Sequence, residues 1–140
     1  KSRINGSLTR PEVLDAMKSG DISWSRSEGV EEEEQGRHPW IVLSSNLLHR
    51  QGGLVVAVPV TSNPTRYKAW DVYMTAAEIV RATNVRYPLD PTKLEGVVKC
   101  AKLRHWSVTR VDEVIGCATK HFVNKLRHVA ADAIELPRGH

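Results

Sequence analysis

Two short apolar runs constrain the fold of this chain more than any other feature. Pro39–Ser44 is almost entirely apolar, and Leu54–Val60 has the same character directly after the pair Gly52 and Gly53. Runs of this length that are rich in β-branched residues are typical of strands covered on both faces. The sequence therefore predicts two central strands of a sheet.

Further strands are predicted on either side of these runs. Asp21–Ser25 and Trp70–Met74 alternate polar and apolar residues, as half-buried strands do. Val97–Cys100 and Lys102–Trp106 predict two short strands or one bent strand, and Val114–Ala118 predicts another. Short strands in this number indicate a small, strongly bent barrel of about five or six strands.

The clearest helical signal lies near the C-terminus. Thr119 can cap a stretch in which apolar residues recur at spacings of four and three, namely Phe122, Leu126, Val129 and Ala133. This pattern predicts an amphipathic helix packed on the sheet. We therefore expect a mainly β fold with α (α+β) over residues 20–140, preceded by an N-terminal extension with a short helix at residues 1–19.

Two further helices are predicted from local capping signals. Thr9 and Thr75 each open a capping-box pattern with a glutamate three residues later, which satisfies the first free backbone N–H groups of a helix. These patterns predict short helices through Met17 and through Arg81. A proline-containing connection follows the second of them.

Charge and cysteine content exclude few functions, but they bear on what the protein binds and where it acts. Twenty Lys and Arg against sixteen Asp and Glu give a net charge of +4, and basic residues concentrate between Lys99 and Arg110. Such a stretch suits an anion-binding surface and equally an ordinary solvated one. Cys100 and Cys117 lack the spacing of a zinc site, so we expect buried free thiols, with a disulfide between them as the alternative. No apolar run approaches the roughly 18 residues of a membrane helix, which favours a soluble, cytoplasmic protein.

Four motifs occur in an order that has a known parallel. Gly20–Trp24 reads Gly-Asp-Ile-Ser-Trp, and Glu34–Ser44 reads Glu-Gln-Gly-Arg-His-Pro followed by the first apolar run. Pro59–Ser62 reads Pro-Val-Thr-Ser, and a basic strand, Gly116 and the Thr119 helix follow. Over roughly residues 20–136 the chain resembles the PemK/MazF family of toxins from type II toxin–antitoxin systems.

The resemblance implies a fold, an activity and partners. It implies an SH3-like barrel, a homodimer, and sequence-specific cleavage of single-stranded RNA, including mRNA, without a metal or other cofactor. It also implies a cognate antitoxin protein that blocks the RNA groove. The segment from Glu78 to Glu95 is longer than is usual in the family, and Ala101–Lys102 stands where Asp-Gln is common, so the RNA-facing loops differ.

Three residues are the candidate catalytic groups. The family uses an Arg directly before the proline of the second motif and the Thr of the third, which is Thr61 here. This chain has His38 before Pro39 and Arg37 one place earlier. Arginine offers a fixed charge and a bidentate fork for phosphate, whereas histidine titrates near neutrality and serves as acid or base. Because alternate strand residues face opposite sides, we place His38 in the family position with Arg37 near phosphate; the alternative is that His38 only caps the loop.

Four further residues are candidates for RNA binding: Ser62, Trp40, Lys102 and Arg104. Trp40 is in phase with His38, and an exposed indole there would stack a base; the alternative is a place in the core, where Trp24, Trp70 and Trp106 are also expected. Lys102 and Arg104 either bind phosphate or occupy a solvated strand face. Ser44 is expected to stabilise a motif loop. Repulsion within Glu31–Glu34 predicts an extended loop that we hypothesise gates RNA entry.

Two other functions compete with the nuclease. One is a non-catalytic SH3-like binding module, or an inhibitor of a partner such as a topoisomerase, which the histidine before Pro39 favours. The other is a general nucleic-acid binder that uses the basic strand around Lys99 to Arg110, with binding that depends strongly on salt. Thr61 and Arg37 favour the nuclease, and replacing Thr61 by alanine discriminates, because only a nuclease loses an effect on RNA.

Overall fold

A computed structural model describes residues 18–26, 37–61, 69–81, 90–107 and 114–134. The predicted helix before residue 18, the acidic run Glu31–Glu34 and Ser62 lie outside the described residues. Within them the chain forms a mostly antiparallel sheet that curls into a half-barrel, with one long helix at its C-terminal end. The predicted fold class is confirmed.

The described residues contain eight strands rather than the five or six predicted. Their bounds are β1 Asp21–Arg26, β2 Arg37–Val42, β3 Leu54–Thr61, β4 Asp71–Met74, β5 Ile79–Arg81, β6 Gly96–Lys99, β7 Arg104–Ser107 and β8 Val114–Ala118. Every strand predicted from an apolar or alternating run is present. The count is higher because the stretch after residue 96 forms two strands and β5 is an additional one.

The sheet is continuous from β4 to β5. Its strand order is β4-β6-β3-β2-β1-β8-β5, with β7 paired to β3 beside β6. β3 is central because it pairs with β2 along one side and with β6 and β7 along the other. The two end strands, β4 and β5, are consecutive in the chain, so the curl of the sheet brings its ends within reach of a short turn.

Two α-helices occur in the described residues, α1 at Asn46–Gly52 and α2 at Lys120–Ile134. α2 was predicted, and Thr119 caps it by accepting a hydrogen bond from the backbone N–H of Phe122. α1 was not predicted. The Ser45 side chain accepts from the N–H of Leu48 at its start, and Gly53 ends it with a φ of 65°, a conformation that favours glycine.

The prediction of a helix after Thr75 is wrong. The Thr75–Glu78 capping box does form, but it encloses only one 3₁₀ turn at Ala76–Glu78. The chain then becomes β5, in which Ile79 and Val80 pair with Ala118 and Cys117 of β8. β-branched residues favour a strand when a partner strand is at hand, so tertiary pairing overrides the local signal. Two more 3₁₀ turns, Pro91–Leu94 and Cys100–Lys102, flank β6.

The main hydrophobic core lies between one face of the sheet and α2. Ile22, Ile41 and Val58, which are neighbours across three strands, belong to it together with buried residues of α2. The α2 residues are Phe122, Val123, Leu126 and Ala130. The strands alternate, so the residues between these core positions face the other side of the sheet. Among the described residues, no helix is long and apolar enough to cross a bilayer.

Candidate active site

Thr61 is the last residue of β3, where β3 pairs with β6. Its partner across this pairing is Val97, and its side chain is half-buried. A Cβ atom at Gly96 would lie 2.5 Å from the carbonyl oxygen of Thr61, a separation that Cβ atoms do not adopt in proteins. Glycine at this position therefore allows the start of β6 to approach the backbone of Thr61 closely.

The other side of β3 carries β2, which contains both remaining catalytic candidates. Trp40 of β2 is opposite Pro59 of β3, and the next two pairs follow in the same register. Continued to the ends of both strands, this register sets His38 across from Thr61 and Arg37 one position beyond. In that continuation His38 and Thr61 occupy adjoining backbone positions, although the sequence separates them by more than twenty residues.

The proposed stacking role of Trp40 is wrong, and the core alternative is correct. The Trp40 side chain is 0% exposed, so neither face of its indole is open to a base. It shares the second face of the sheet with its neighbour Ser23, which is also buried. Trp24 packs partly buried against the main core, as expected. Trp70 was expected in the core but is 37% exposed, and its indole N–H donates to Asp132 of α2 at 3.2 Å.

Arg104 lies beside the first half of β3, and Lys102 lies two residues before it in the chain, away from Thr61 at the end of the strand. Lys102 ends the 3₁₀ turn between β6 and β7, and Arg104 begins β7 opposite Ala57. Ala57 precedes Thr61 by four residues, or about 13 Å along a strand. Both basic residues are half-buried. They lie on the same side of β3 as β6. Their distance from Thr61 corresponds to different phosphates of one RNA strand, not to a single phosphate.

Thr61, Val97 and Tyr73 form one row across β3, β6 and β4, which we call the Thr61 row. Partners directly opposite in antiparallel strands face the same side of the sheet. Val97 is buried, whereas Tyr73 at the β4 end is 50% exposed. Asp71 lies two residues from Tyr73 along β4, on the same face, and pairs with Lys99, with 3.1 Å between Oδ2 and Nζ. Sequence reasoning missed Tyr73, because its exposure depends on β4 being an end strand.

A second polar contact that sequence reasoning missed involves His49 of α1. The His49 side chain is completely buried, and its Nε2 lies 2.7 Å from Oγ of Ser44. The same hydroxyl oxygen accepts from the N–H of Val56 at 2.9 Å. These bonds tie the end of β2 to α1 and β3. The expectation that Ser44 stabilises a motif loop is therefore confirmed.

A separate group of polar residues lies near the start of β1. We call it the Arg127 cluster, and it consists of Ser19, Asn46, Asn124 and Arg127. The Arg127 guanidinium donates to the carbonyl of Leu43 at 2.9 Å, to Oδ1 of Asn124 at 3.3 Å and to Oγ of Ser19. Asn46 accepts from the N–H of Ser19. A pocket of about 350 Å³ lies here, partly lined by Ser19, Asn124 and Arg127. The guanidinium of Arg127, which lines this pocket, already donates hydrogen bonds to other residues of the protein.

Three titratable groups, near the start of β1 and in the core, have shifted pKa values. Burial raises the pKa of Asp21 from 3.8 to about 6, although a hydrogen bond from the N–H of Lys18 opposes the shift. Burial, and then the charge of Asp21, raises the pKa of the Cys117 thiol. Burial raises the pKa of Cys100 to about 12. Both cysteines are free, as expected. Within the described ranges no three His, Cys, Asp or Glu residues are grouped to hold a metal.

Solved structures share this fold. An endoribonuclease from a mycobacterial species, solved with its cognate antitoxin, is 24% identical and matches 87% of this chain and 98% of its own, with a TM-score of 0.61. MazF from Deinococcus radiodurans is 21% identical, matching 86% and 97%, with a TM-score of 0.63. The toxin MazF-mt6 from Mycobacterium tuberculosis is 18% identical, matching 84% and 98%, with a TM-score of 0.58. No curated protein sequence matches. The curled sheet with its C-terminal helix is therefore the MazF fold.

Sequence evidence makes the assignment more specific. The family model for the PemK-like, MazF-like toxins of type II toxin–antitoxin systems matches residues 18–133, which is most of the chain. The protein belongs to this family of toxins. The resemblance noted from the four motifs is thus confirmed.

Proposed function

We propose that this toxin is a metal-independent endoribonuclease that cleaves single-stranded RNA and is held inactive by a cognate antitoxin. Membership of the PemK/MazF family supports the activity. The observation that carries the proposal is the β2–β3 register, which, continued two residues beyond the Trp40–Pro59 pair, sets the histidine of the second motif opposite the threonine of the third.

The chemistry uses the nucleophile that RNA itself supplies. A base removes the proton of a ribose 2′-OH, the oxygen attacks the adjoining phosphorus, and an acid protonates the departing 5′-oxygen. Donors around the phosphate stabilise the charge that develops in the transition state. Thr61 donates its hydroxyl hydrogen to a phosphate oxygen, and Arg37 supplies a fixed positive charge close by.

His38 takes the position of the family arginine. The β2–β3 register, continued to the ends of the strands, sets His38 across from Thr61 and Arg37 one residue out of that row. Histidine titrates near neutrality and exchanges protons with RNA, which arginine scarcely does because it remains charged. Proton transfer in this toxin is accordingly assigned to His38, and Ser62, Lys102 and Arg104 to contacts with the RNA chain.

The partners follow from the same family. The mycobacterial relative was solved with its cognate antitoxin, and we infer an antitoxin for this chain that occludes the RNA groove. A basic, partly aromatic groove suits an extended peptide with acidic and apolar residues. We also infer that the protein is a homodimer in the cytoplasm. The assays therefore use the full chain at micromolar concentration.

The test is incubation of purified protein with a long unstructured RNA in EDTA, with four variants in parallel. We expect discrete cleavage by wild type, its loss in His38→Ala, and cleavage by His38→Arg with an altered pH–rate profile. Arg37→Ala should cleave more slowly because phosphate contact weakens. His128→Ala is the matched control, since His128 is an exposed histidine of α2, and it should cleave like wild type.

Each other result has a definite meaning. Intact RNA with a folded wild-type protein would contradict the nuclease and favour the binding module. Cleavage by His38→Ala at the wild-type rate would transfer the chemistry to Arg37 and Thr61. Cleavage only after addition of a divalent metal would contradict the metal-independent mechanism.

A further inference from the structure

Tyr73 is an exposed aromatic residue in the same row as Thr61. Its side chain is 50% exposed, whereas its neighbour Val97 is 1% exposed. The described residues include one other exposed large aromatic side chain, Trp70, whose indole is held by Asp132 on the α2 side. Because Tyr73 is the third residue of the end strand β4, its ring stands at the open margin of the sheet face that carries Thr61.

We propose that the Tyr73 ring stacks an unpaired RNA base and so fixes the register of the strand at Thr61. The inference rests on the proposed function and deepens it, because it names the surface that holds a base. Single-stranded RNA binds proteins through stacked bases and backbone contacts. Trp40 does not provide that stacking surface because it is fully buried.

The spacing suits a base near the cleaved bond. Thr61 and Tyr73 are two strands apart, which is about 10 Å at the usual strand separation of roughly 4.8 Å. A stacked nucleic-acid strand advances about 3.4 Å per nucleotide, so the ring lies about three nucleotides from a phosphate at Thr61. An RNA strand that runs from Thr61 to the β4 margin reaches both residues without contacting Val97, which is buried between them.

The charges beside the ring permit this path. Two residues from Tyr73 along β4, on the same face, Asp71 is bonded to Lys99 at 3.1 Å, and the Asp71 side chain is 4% exposed. The pair is neutral as a unit, so it does not repel the phosphates of an RNA strand crossing β4. Stacking tolerates every base because each has a π-face, so Tyr73 contributes affinity and register rather than base identity.

Binding of a labelled unstructured RNA, followed by fluorescence anisotropy in EDTA, tests the proposal together with cleavage kinetics. Tyr73→Ala and Tyr73→Leu should each raise Kd and KM about 5- to 150-fold, the range for loss of one base stack, and Tyr73→Phe should resemble wild type. The slope of log Kd against log salt should not change, because no phosphate contact is removed. Val80→Ala is the control, since Val80 is an apolar side chain with a similar exposure, 52%, on β5, which pairs with β8 and is not in the Thr61 row.

A second measurement locates the stacked base. RNAs carrying one 2-aminopurine at successive positions should show a fluorescence change about three nucleotides from the cleaved bond, present with wild type and Tyr73→Phe and absent with Tyr73→Leu. Thermal unfolding of each variant should match wild type, because half of the ring is in solvent. The leucine variant keeps apolar contact with Val97 if the alanine variant does not fold.

The outcomes separate this inference from the proposed function. Tyr73-dependent binding without cleavage overturns the nuclease and keeps the stacking surface. Cleavage with a Kd and KM in Tyr73→Ala equal to those of Val80→Ala overturns the stacking surface alone. A loss of affinity in Tyr73→Phe equal to that in Tyr73→Ala also overturns it, because the hydroxyl would then carry the contact. Absence of both binding and cleavage overturns both.

Discussion

The Thr61 row lies on the sheet and the Arg127 cluster lies between α2, α1 and the start of β1, and the polar groups of the two regions make different contacts. In the Arg127 cluster the polar groups bond to one another and to the backbone: Arg127 donates to Leu43, Asn124 and Ser19, and Asn46 accepts from Ser19. In the Thr61 row a half-buried hydroxyl and an exposed phenol lie on either side of one buried valine.

The difference distinguishes a structural polar region from the binding surface proposed above. Polar groups that bond to one another and to the backbone connect the elements of the fold, and removal of one leaves its partners without that bond. The Arg127 cluster does this, since it joins α2, α1 and the start of β1 although it also lines a pocket. The Thr61 row instead ends in aromatic surface open to solvent. Changes in the first region should therefore alter stability, and changes in the second should alter activity.

Substitution of Thr61 should give the largest effect and should separate activity from stability most clearly. Thr61→Val keeps the branched shape that suits the end of a strand but removes the hydroxyl, so kcat for RNA cleavage should fall about 100- to 1000-fold, the usual loss for one transition-state donor. The unfolding free energy, measured with urea, should change by less than about 1 kcal/mol. Thr61→Ser should restore much of the rate.

A rate in Thr61→Val close to that of wild type would contradict the assignment. If Thr61→Val were instead destabilised by several kcal/mol, Thr61 would belong with the structural residues, and the contrast between the two regions would fail at its central residue.

Asp21, next to the Arg127 cluster, should show the opposite behaviour. Its folded pKa of about 6 exceeds the ordinary 3.8 because burial disfavours the charged form. The protonated carboxyl therefore stabilises the fold fully below pH about 4, and that contribution is lost as the pH rises to about 6, amounting to up to about 3 kcal/mol. Asp21→Asn, whose side-chain oxygen still accepts from Lys18, should be more stable than wild type at pH 7 and should not differ in this way near pH 3.5.

Urea unfolding at several pH values between 3.5 and 7 measures this difference. Cleavage by Asp21→Asn at pH 7 should match wild type, since β1 carries Asp21 at one end and pairs with Arg37 and His38 at the other. A pH-independent difference between the two proteins would show that burial does not perturb this carboxyl.

The strands and α2 were predictable because their signals are local. The apolar runs of β2 and β3 and the spacing of Phe122 and Leu126 express burial directly in the sequence. By the same reasoning Trp40 belonged to a strand covered on both faces, and its assignment to RNA contradicted that pattern. β5 was not predictable from the Thr75 capping box, because a single 3₁₀ turn satisfies the same hydrogen bonds and the pairing with β8 is a long-range contact.

The candidate site divides in the same way. Thr61 and His38 were proposed from motifs, and the register that sets them opposite each other is a continuation of the β2–β3 pairing. Tyr73 and His49 were missed because no local pattern distinguishes an exposed strand tyrosine from a buried one, or a buried histidine in α1 from an exposed one. Their environments depend on which strand ends the sheet and on where α1 packs.

Substitution of Gly96 should lower both stability and activity, and it should give the smallest effect of these predictions. Gly96→Ala places a Cβ against the backbone of Thr61, and since a backbone atom cannot rotate away, β6 must shift. The unfolding free energy should fall by about 1–3 kcal/mol, as for other overpacked sites, and kcat should fall as well because Thr61 moves with the strand. Gly52→Ala is the control: its added Cβ meets only Leu48 Cδ1 at 3.3 Å, the end of a flexible side chain, so both quantities should stay near wild type. Loss of stability in Gly96→Ala with full activity would show that the position of the Thr61 backbone does not matter for cleavage, and the row would then be held by its side chains alone.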